Sequence, residues 1–267
     1  PEELTAPELH RVLSYEPLKP HIWGGKGVGS QGDGTAQFLA RSQADQQAVI
    51  EILKRDLGLP AYTLTLRPGQ RVRKAVIPAA GFGTRLFPAT KAAKKELFPI
   101  VDRDGIAKPA ILLIVEEAID AGIEQVIIIV QEDDLDDFRK FFTQQISIET
   151  YNKLPRHFQE YSRRILDIGR RVTFVVQTTQ QGFGHAVWCA RDIVGDEPFA
   201  VVLPDELVLN TPGCLKQMID AASRLGEKSN LLAVEGVPDH LTHQYGICGV
   251  GKRTASNLFE VDGMGEK

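Results

Sequence analysis

The sequence predicts an α/β fold with a mixed, mainly parallel sheet that carries helices on both faces. Residues 74–78, 124–130 and 172–176 are short runs rich in β-branched and apolar side chains, which is typical of strands buried on both faces. Segments in which apolar residues recur at helical spacing separate these runs. Because strands that alternate with helices usually pair in parallel, this order of segments predicts the fold class.

The predicted elements of residues 74–267 follow one another as strand, loop and helix. The expected strands are residues 74–78, 124–130, 172–176 and 199–203. The expected helices are residues 109–121, with Pro109 in the first turn, a long polar stretch from the acidic run 133–137 to about 168, and residues 215–223. Ligands of such sheets bind at the carboxyl ends of the strands, so we expect a site in the loops that follow them.

A small α+β segment precedes the predicted sheet. Its expected elements are a glycine-rich run at 24–34, a strand at 35–40, a helix at 44–57 that ends at Gly58, and a strand at 61–66. The turn-forming Arg67-Pro68-Gly69-Gln70 predicts a boundary between a domain of residues 1–73 and a domain of residues 74–267. Since the sequence begins without methionine, we expect it to start within a larger protein.

Composition excludes several classes of protein. The chain has 31 Lys and Arg against 35 Asp and Glu, so its net charge of −4 gives no electrostatic reason to bind nucleic acid or an anionic membrane. No apolar run reaches the roughly 18 residues of a membrane span. The three cysteines, Cys189, Cys214 and Cys248, have neither disulfide-framework nor zinc-site spacing, which favours a cytoplasmic location.

The sharpest motif is the glycine turn that follows residues 74–78. Backbone N–H groups of Ala80, Gly81, Gly83 and Thr84 can approach phosphate oxygens closely in such a turn. Four cations follow within eleven residues, namely Arg85, Lys91, Lys94 and Lys95. The turn lacks the third glycine of a dinucleotide-binding fingerprint and the Gly-Lys-Ser/Thr of a P-loop. The pattern therefore predicts a triphosphate cradle of another kind, and the alternative is a tight turn with surface charges.

Several motifs resemble the sugar-phosphate nucleotidylyltransferases. The first is Gly81-Phe82-Gly83-Thr84-Arg85 with Pro88, Lys95-Glu96 and Pro99. Within it, Thr90-Lys91 resembles the motif of the bacterial UTP–glucose-1-phosphate uridylyltransferases. The others are Lys108-Pro109, Gln177-Thr178-Thr179-Gln180, Gly182-Phe183-Gly184-His185-Ala186, Leu203-Pro204-Asp205, Tyr245-Gly246 and Glu266-Lys267. The resemblance covers residues 74–267 and implies a Rossmann-like fold of the nucleotide-diphospho-sugar transferase type, truncated at its C-terminal side.

The resemblance also implies a reaction and roles for particular residues. A hexose 1-phosphate, glucose 1-phosphate in the first instance, would attack the α-phosphorus of UTP, and pyrophosphate would leave. Catalytic roles fall to Arg85 on the pyrophosphate, Lys95 on the α-phosphate and Lys267 on the sugar phosphate. Asp205 would bind Mg²⁺, Gln180 and Gly182 would contact the base, and Gly246 and Glu266 would contact the sugar.

Two departures from the family pattern accompany these expectations. Lys94 stands where the family usually has proline before Lys-Glu, and the interval from Gln180 to Gly182 is shorter than the family loop. Two alternatives remain open: a noncatalytic module that binds nucleotides, and the same chemistry with another nucleotide or sugar 1-phosphate. The acidic run 133–137 is expected to be a solvated helix start rather than a metal site.

The N-terminal segment bears a second resemblance. The run 25–34, followed by a strand, a helix and a strand, is similar to the last phosphate-loop motif of the GHMP-type small-molecule kinases. This resemblance implies that a kinase producing a sugar 1-phosphate is fused to the enzyme that consumes it, and an unrelated small domain is the alternative. The expected partners are otherwise small molecules, UTP and a sugar 1-phosphate, and a homo-oligomer is left open.

Overall fold

The computed structural model describes residues 6–28, 34–63, 71–225 and 229–265. Its helices are α1 (Pro7–Leu13), α2 (Gln43–Leu57), α3 (Ala110–Asp120), α4 (Leu135–Thr143), α5 (Ile148–Lys153), α6 (Arg156–Gly169), α7 (Gly182–Trp188), α8 (Arg191–Val194) and α9 (Cys214–Leu225). Its strands are β1 (Ile22–Val28), β2 (Thr35–Ala40), β3 (Lys74–Pro78), β4 (Pro99–Val101), β5 (Ala107–Pro109), β6 (Gln125–Val130), β7 (Val172–Val176), β8 (Phe199–Val201), β9 (Ile247–Ala255) and β10 (Leu258–Gly265).

The described residues form two compact units. The hairpin unit comprises those within Pro1–Thr65, Gln181–Trp188 and Leu232–Lys267, and the sheet unit comprises those within Leu66–Gln180 and Cys189–Leu231. Each unit is thus assembled from separate stretches of chain. The single boundary expected between residues 73 and 74 stays a prediction, and the turn-forming cluster on which it was based lies outside the described residues.

A four-stranded parallel sheet forms the centre of the sheet unit. Its strand order is β7-β6-β3-β8, with Val76 opposite Ile127 on one side and opposite Val201 on the other. Ala75 and Ile77 face one side of the sheet and Val76 the other, and all three are fully buried. Side chains cover both faces of the sheet, so the predicted α/β class with a parallel sheet is confirmed.

Helices α3 and α9 of the sheet unit form where apolar spacing predicts them, whereas α8 was not predicted and the long polar stretch differs from its prediction. Helix α3 follows Pro109 and packs Ile111, Leu112 and Val115 into the core beside β3 and β6. The long polar stretch expected to reach about residue 168 is instead three helices, α4 to α6. The hydroxyl of Ser147 caps the start of α5 by accepting a hydrogen bond from the Thr150 N–H at 3.1 Å, and Pro155 precedes α6.

The hairpin unit combines two antiparallel pairs of strands, β1 with β2 and β9 with β10. Helix α2 begins at the N-cap Ser42 and ends at Gly58, whose φ of 67° lies in the left-handed region. Its Val49, Ile52 and Leu53 form a small core that also includes residues of α1 and β1. This core explains how a short N-terminal segment holds a defined structure.

Two N-terminal expectations need correction. The first part of the glycine-rich run is strand β1, paired with β2, rather than a loop, and residues 29–33 lie outside the described part of the chain. The strand expected at 61–66 is absent over Ala61–Thr63, where Tyr62 instead stacks near Trp188 with ring centroids 5.0 Å apart. The remainder of that expected strand is outside the described residues, and the resemblance to GHMP-type kinases stays a prediction.

All three cysteines are free thiols. In the part of the chain that the structure describes, no helix has both the length and the apolar character needed to cross a membrane.

Candidate active site

The four strands of the sheet are parallel, so the loops that follow them lie at the same end of the sheet. We call this end, where the strands finish, the carboxyl edge. Strand β3 lies between β6 and β8. The chain that leaves the carboxyl end of β3 therefore forms later strands on both sides of β3. This reversal of strand order opens a crevice in parallel sheets, and ligands bind there. The glycine turn follows β3, and the Leu203-Pro204-Asp205 motif follows β8.

The peptide that joins Ala80 to Gly81 is held in a fixed orientation. The side-chain amide of Gln131, just after β6, donates a hydrogen bond of 2.8 Å to the Ala80 carbonyl. The N–H of a trans peptide points opposite to its carbonyl, so this bond directs the Gly81 N–H away from Gln131. Among the described residues other than Gly81 and its two chain neighbours, no heavy atom lies within 4 Å of the position where a side chain at Gly81 would begin. An oxygen-rich ligand has room to approach there.

Gly83 is required by the shape of the turn. Its φ is 64°, and a Cβ at this position would lie 2.8 Å from Cγ2 of Thr90. A short 3-10 turn, Thr84–Leu86, follows and leaves Arg85 exposed to solvent. Within the described residues Arg85 has no ion-pair partner, so its guanidinium is available to an anion. The contacts of Ala80, Gly81, Gly83 and Thr84 with a nucleotide stay predictions.

Lys95 and Asp205 meet across the carboxyl edge. Nζ of Lys95 lies 2.8 Å from Oδ2 of Asp205, although the two residues are 110 positions apart in the sequence. The Lys95 side chain is 21% exposed and that of Asp205 is 57% exposed. The structure therefore brings together the loop after β3 and the loop after β8. The resemblance implied separate roles for Lys95, in α-phosphate binding, and for Asp205, in metal binding.

Glu96 is a buried carboxyl group beside this pair. It has no solvent exposure, and in the described part of the chain neither of its oxygens has a hydrogen-bond donor. The nearest cation is Lys95, with Nζ 3.8 Å from Oε1. Burial raises the pKa of Glu96 to about 7. Glu96 belongs to the Lys95-Glu96 motif, but it was assigned no role, because the burial of a single polar residue leaves no pattern in the sequence.

The residues at this edge fit a magnesium ion that is shared with a substrate. Mg²⁺ is usually bound in proteins by one or two carboxylates, with phosphate oxygens and water completing its shell. Asp205 supplies one such carboxylate, and only one of its oxygens is paired with Lys95. No group of three or more His, Cys, Asp or Glu side chains suited to a metal occurs among the residues described. An ion at Asp205 would therefore depend on oxygens of the substrate.

The predicted base contacts lie in two different units. The Gln180 amide, in the sheet unit, donates a hydrogen bond of 3.1 Å to the carbonyl of Gln177. Gly182, in the hairpin unit, has a φ of 85°, and a Cβ there would lie 2.9 Å from Cγ2 of Thr35. The hydroxyl of Thr35 also accepts a hydrogen bond of 3.2 Å from the Gly184 N–H. The close approach at Gly182 is thus made by a threonine of this chain, and its role toward a base stays a prediction.

The predicted sugar contacts belong to the hairpin unit. A Cβ at Gly246 would lie 2.8 Å from Nζ of Lys26, so an amine from β1 occupies the space beside this glycine. Glu266 and Lys267 lie outside the described residues. Their roles toward the sugar and its phosphate stay predictions.

Comparison with known proteins agrees with the motifs. A family model for nucleotidyl transferases matches residues 74–267. The UTP–glucose-1-phosphate uridylyltransferase of Bacillus subtilis (strain 168) is 42% identical over 185 residues, which are 67% of this chain and 59% of that protein. A Staphylococcus saprophyticus enzyme, UTP–glucose-1-phosphate uridylyltransferase 1, is 37% identical over 204 residues, which are 74% of this chain and 66% of that protein.

Solved structures give the same result. A UDP-glucose pyrophosphorylase complexed with UDP-glucose aligns with a TM-score of 0.61 at 30% identity, over 73% of this chain and 69% of its own. The UTP-bound UGPase from Acinetobacter baumannii aligns with a TM-score of 0.57 at 34% identity, over 73% of this chain and 68% of its own. The chain spans 59% to 66% of the length of the two curated relatives. The matched family model, the relatives and the fold together show that this chain belongs to the nucleotidyl transferase family.

Proposed function

We propose that the chain transfers a uridylyl group from UTP to a hexose 1-phosphate, with glucose 1-phosphate as the acceptor, to give a UDP-sugar and pyrophosphate. Family membership supports nucleotidyl transfer, and the names of the aligned relatives support UTP and glucose 1-phosphate. The substrates are part of the proposal because the chain spans only part of the length of those relatives.

The chemistry needs charge neutralisation rather than a general base. A phosphate oxygen of the sugar 1-phosphate is already ionised, so it attacks the α-phosphorus without losing a proton. A new P–O bond forms in line with the bond to the β-phosphate, which breaks, and its electron pair leaves with pyrophosphate. Arg85 suits the leaving group because its guanidinium can bind phosphate oxygens in a bidentate manner. We assign Lys95 to the α-phosphate and Lys267 to the sugar phosphate.

Mg²⁺ is the proposed cofactor, held by Asp205 and the phosphates. When bound, it supplies positive charge that stabilises the anionic transition state. Lys95 and Asp205 form an ion pair, so the pair would have to separate for Lys95 to bind a phosphate and for Asp205 to hold a metal. The convergence of these two side chains at the reversal of strand order is the observation that carries the proposal.

The remaining assignments concern the triphosphate, the base and the sugar. We assign the triphosphate to the N–H groups around Ala80, Gly81, Gly83 and Thr84. We assign the base to Gln180 and Gly182, and the sugar to Gly246 and Glu266. The free thiols of all three cysteines support a reducing location, the cytoplasm.

A pyrophosphate-release assay on the full chain tests the proposal. We expect release with UTP, Mg²⁺ and glucose 1-phosphate, and much slower release with the other nucleoside triphosphates or without metal. A preference for another nucleotide or sugar 1-phosphate would correct the substrate. Binding of UTP by calorimetry without any pyrophosphate release would contradict the transferase and favour a noncatalytic module.

A further inference from the structure

Lys94 forms an ion pair that joins the lysine turn to the neighbouring strand. Nζ of Lys94 lies 2.7 Å from Oδ2 of Asp134, and the two side chains are only 20% and 13% exposed. The contact is an ion pair without hydrogen-bond geometry, since within the described residues this buried oxygen accepts no hydrogen bond. Lys94 immediately precedes the short turn Lys95–Leu97, and Asp134 ends the turn Glu132–Asp134 that follows β6. Asp134 was expected to be solvated like the rest of its acidic run, and this part of the expectation is wrong.

The two adjacent lysines bind carboxylates on opposite sides of β3. Lys94 pairs with Asp134 after β6, whereas Lys95 pairs with Asp205 after β8, and β6 and β8 flank β3. The turn is therefore held from both sides. Because the Lys94 pair is mostly shielded from solvent, salt screens it less than it screens an exposed pair.

The backbone at Lys94 has the conformation that proline adopts. Its φ is −64° and its ψ is 143°, and proline fixes φ near −65°. Its carbonyl accepts a hydrogen bond of 2.9 Å from the Leu97 N–H, while in the described part of the chain its own N–H donates none. A ring at this position would remove no hydrogen bond and would restrict the same dihedral angle.

We propose that Lys94 is a positioning residue, whose ion pair with Asp134 fixes the turn so that Lys95 faces the α-phosphate. The inference rests on the proposed uridylyl transfer. The ion pair limits the motion of the turn, as a proline ring at position 94 would do by restricting φ. Lys94 is assigned no phosphate contact, because its carboxylate partner Asp134 lies on the opposite side of β3 from Asp205.

The test uses the variants Asp134→Asn, Lys94→Pro/Asp134→Asn and Asp136→Asn in the full chain. We expect Asp134→Asn to lower kcat about tenfold with little change in KM for UTP, because misplacing a catalytic group by a fraction of an ångström costs rate. The double variant should recover most of the lost kcat, since the ring restores the constraint without the ion pair. Asp136→Asn is the matched control, because this carboxylate from the same acidic run is 76% exposed and should not affect kcat.

Two results would overturn the proposal. If Asp134→Asn lowers KM for UTP and leaves kcat intact, Lys94 acts as a phosphate-binding charge that Asp134 restrains. If the double variant is no better than Asp134→Asn, the ion pair does more than restrict the backbone.

A measurement without substrate separates this proposal from the proposed function. Hydrogen exchange of the Leu97 and Phe98 amides, which donate to the carbonyls of Lys94 and Lys95, reports the turn directly. Faster exchange in Asp134→Asn, reversed in the double variant, supports the positioning role even if the wild-type chain releases no pyrophosphate. Unchanged exchange in Asp134→Asn contradicts that role even if the transferase is active.

Discussion

Two clusters of charged side chains in the sheet unit differ in how completely their groups are paired. In the Lys108 cluster, Nζ of Lys108 lies 2.6 Å from Asp102, 2.9 Å from Asp104 and 3.4 Å from Glu116, and Tyr161 donates a hydrogen bond of 2.9 Å to Glu116. The edge cluster comprises Lys95, Glu96 and Asp205. It has one short ion pair, and within the described residues the oxygens of Glu96 have no donor.

The pKa values reflect this difference. Burial lowers the pKa of Lys108, but hydrogen bonds to Asp102 and Asp104 and the charge of Glu116 outweigh it and raise the pKa above its usual range. In the edge cluster, burial dominates and raises the pKa of Glu96 to about 7. A buried polar group without a partner costs stability, and such groups persist where a ligand can use them. We therefore interpret the paired cluster as structural and the open cluster as part of the proposed substrate site.

The largest expected effect is on stability, from Lys108→Met. Lys108 is 4% exposed, and its removal leaves Asp102 and Asp104 without their cation. Breaking a buried ion pair by removing one partner costs about 3–5 kcal/mol. Urea unfolding at pH 7 should show this loss in the free energy of unfolding.

The control for that prediction is Lys140→Met, which removes an exposed lysine of α4. Its effect should stay within about 0.5 kcal/mol. An equally small loss in Lys108→Met would show that the Lys108 cluster does not stabilise the fold, contrary to the comparison of the two clusters.

The second effect is on rate, from Asp205→Asn and from Arg85→Ala. Each variant removes one preorganised charge at the carboxyl edge, so kcat for pyrophosphate release should fall about 10²–10³-fold. Both side chains are exposed, so the free energy of unfolding should change little. Initial rates at saturating UTP and glucose 1-phosphate provide the measurement.

Arg103→Ala is the control for this pair of variants, because Arg103 is an exposed arginine at the tip of the β4–β5 hairpin. It should retain the wild-type kcat. Full turnover in both Asp205→Asn and Arg85→Ala would contradict the assigned site.

Much of the fold could be predicted because the strands carry a strong local signal. The runs that became β3, β6 and β7 are β-branched and apolar, and their observed bounds differ from the predicted ones by one residue at most. The polar stretch after β6 has a weaker signal, since α5, between the amphipathic helices α4 and α6, is short and buries no residue. Only Ser147 and Pro155 marked the breaks, and the sequence interpretation passed over both.

The sequence predicted the separate motifs of the candidate site, but not which of their side chains contact one another. The sequence identified Lys95 and Asp205 singly, because each lies in a recognisable motif, and the sheet topology places both at one edge. The partners Gln131 and Asp134 were missed, since a hydrogen bond or ion pair between distant loops leaves no local signal. Long-range pairing of polar residues depends on the folded structure.

The third effect is a pH dependence of stability in Glu96→Gln. The folded state keeps the Glu96 proton up to a pKa of about 7, whereas the ordinary pKa is 4.5. The folded state thus binds the proton more tightly, so the wild type loses stability as pH rises from about 4.5 to 7. From 1.36 kcal/mol per unit, the stability of Glu96→Gln relative to wild type should improve by about 2 kcal/mol between pH 5 and pH 8. Urea unfolding at both pH values measures it.

Glu132→Gln is the control for the pH experiment, because it removes an exposed carboxylate from the turn after β6. Its effect on stability should be within about 0.5 kcal/mol at both pH values. If the difference between Glu96→Gln and wild type is the same at pH 5 and pH 8, Glu96 has a partner that satisfies its charge. The edge cluster would then not be the open one.

The smallest effect concerns the outer rim of the Lys108 cluster, in Arg164→Ala. Nε of Arg164 lies 3.4 Å from Oε1 of Glu116, but the arginine side chain is 54% exposed, whereas Glu116 is 10% exposed. An exposed ion pair contributes about 0.5 kcal/mol, and salt screens it. The loss should therefore be about 0.5 kcal/mol at low salt and should vanish at about 1 M NaCl, whereas the loss in Lys108→Met should persist. Glu116 keeps Lys108 and Tyr161 as partners in Arg164→Ala, so its charge stays compensated. A loss in Arg164→Ala as large as that in Lys108→Met would mean that the exposed and the buried members of the cluster act as one cooperative unit. Pairing rather than burial would then determine what each member contributes to stability.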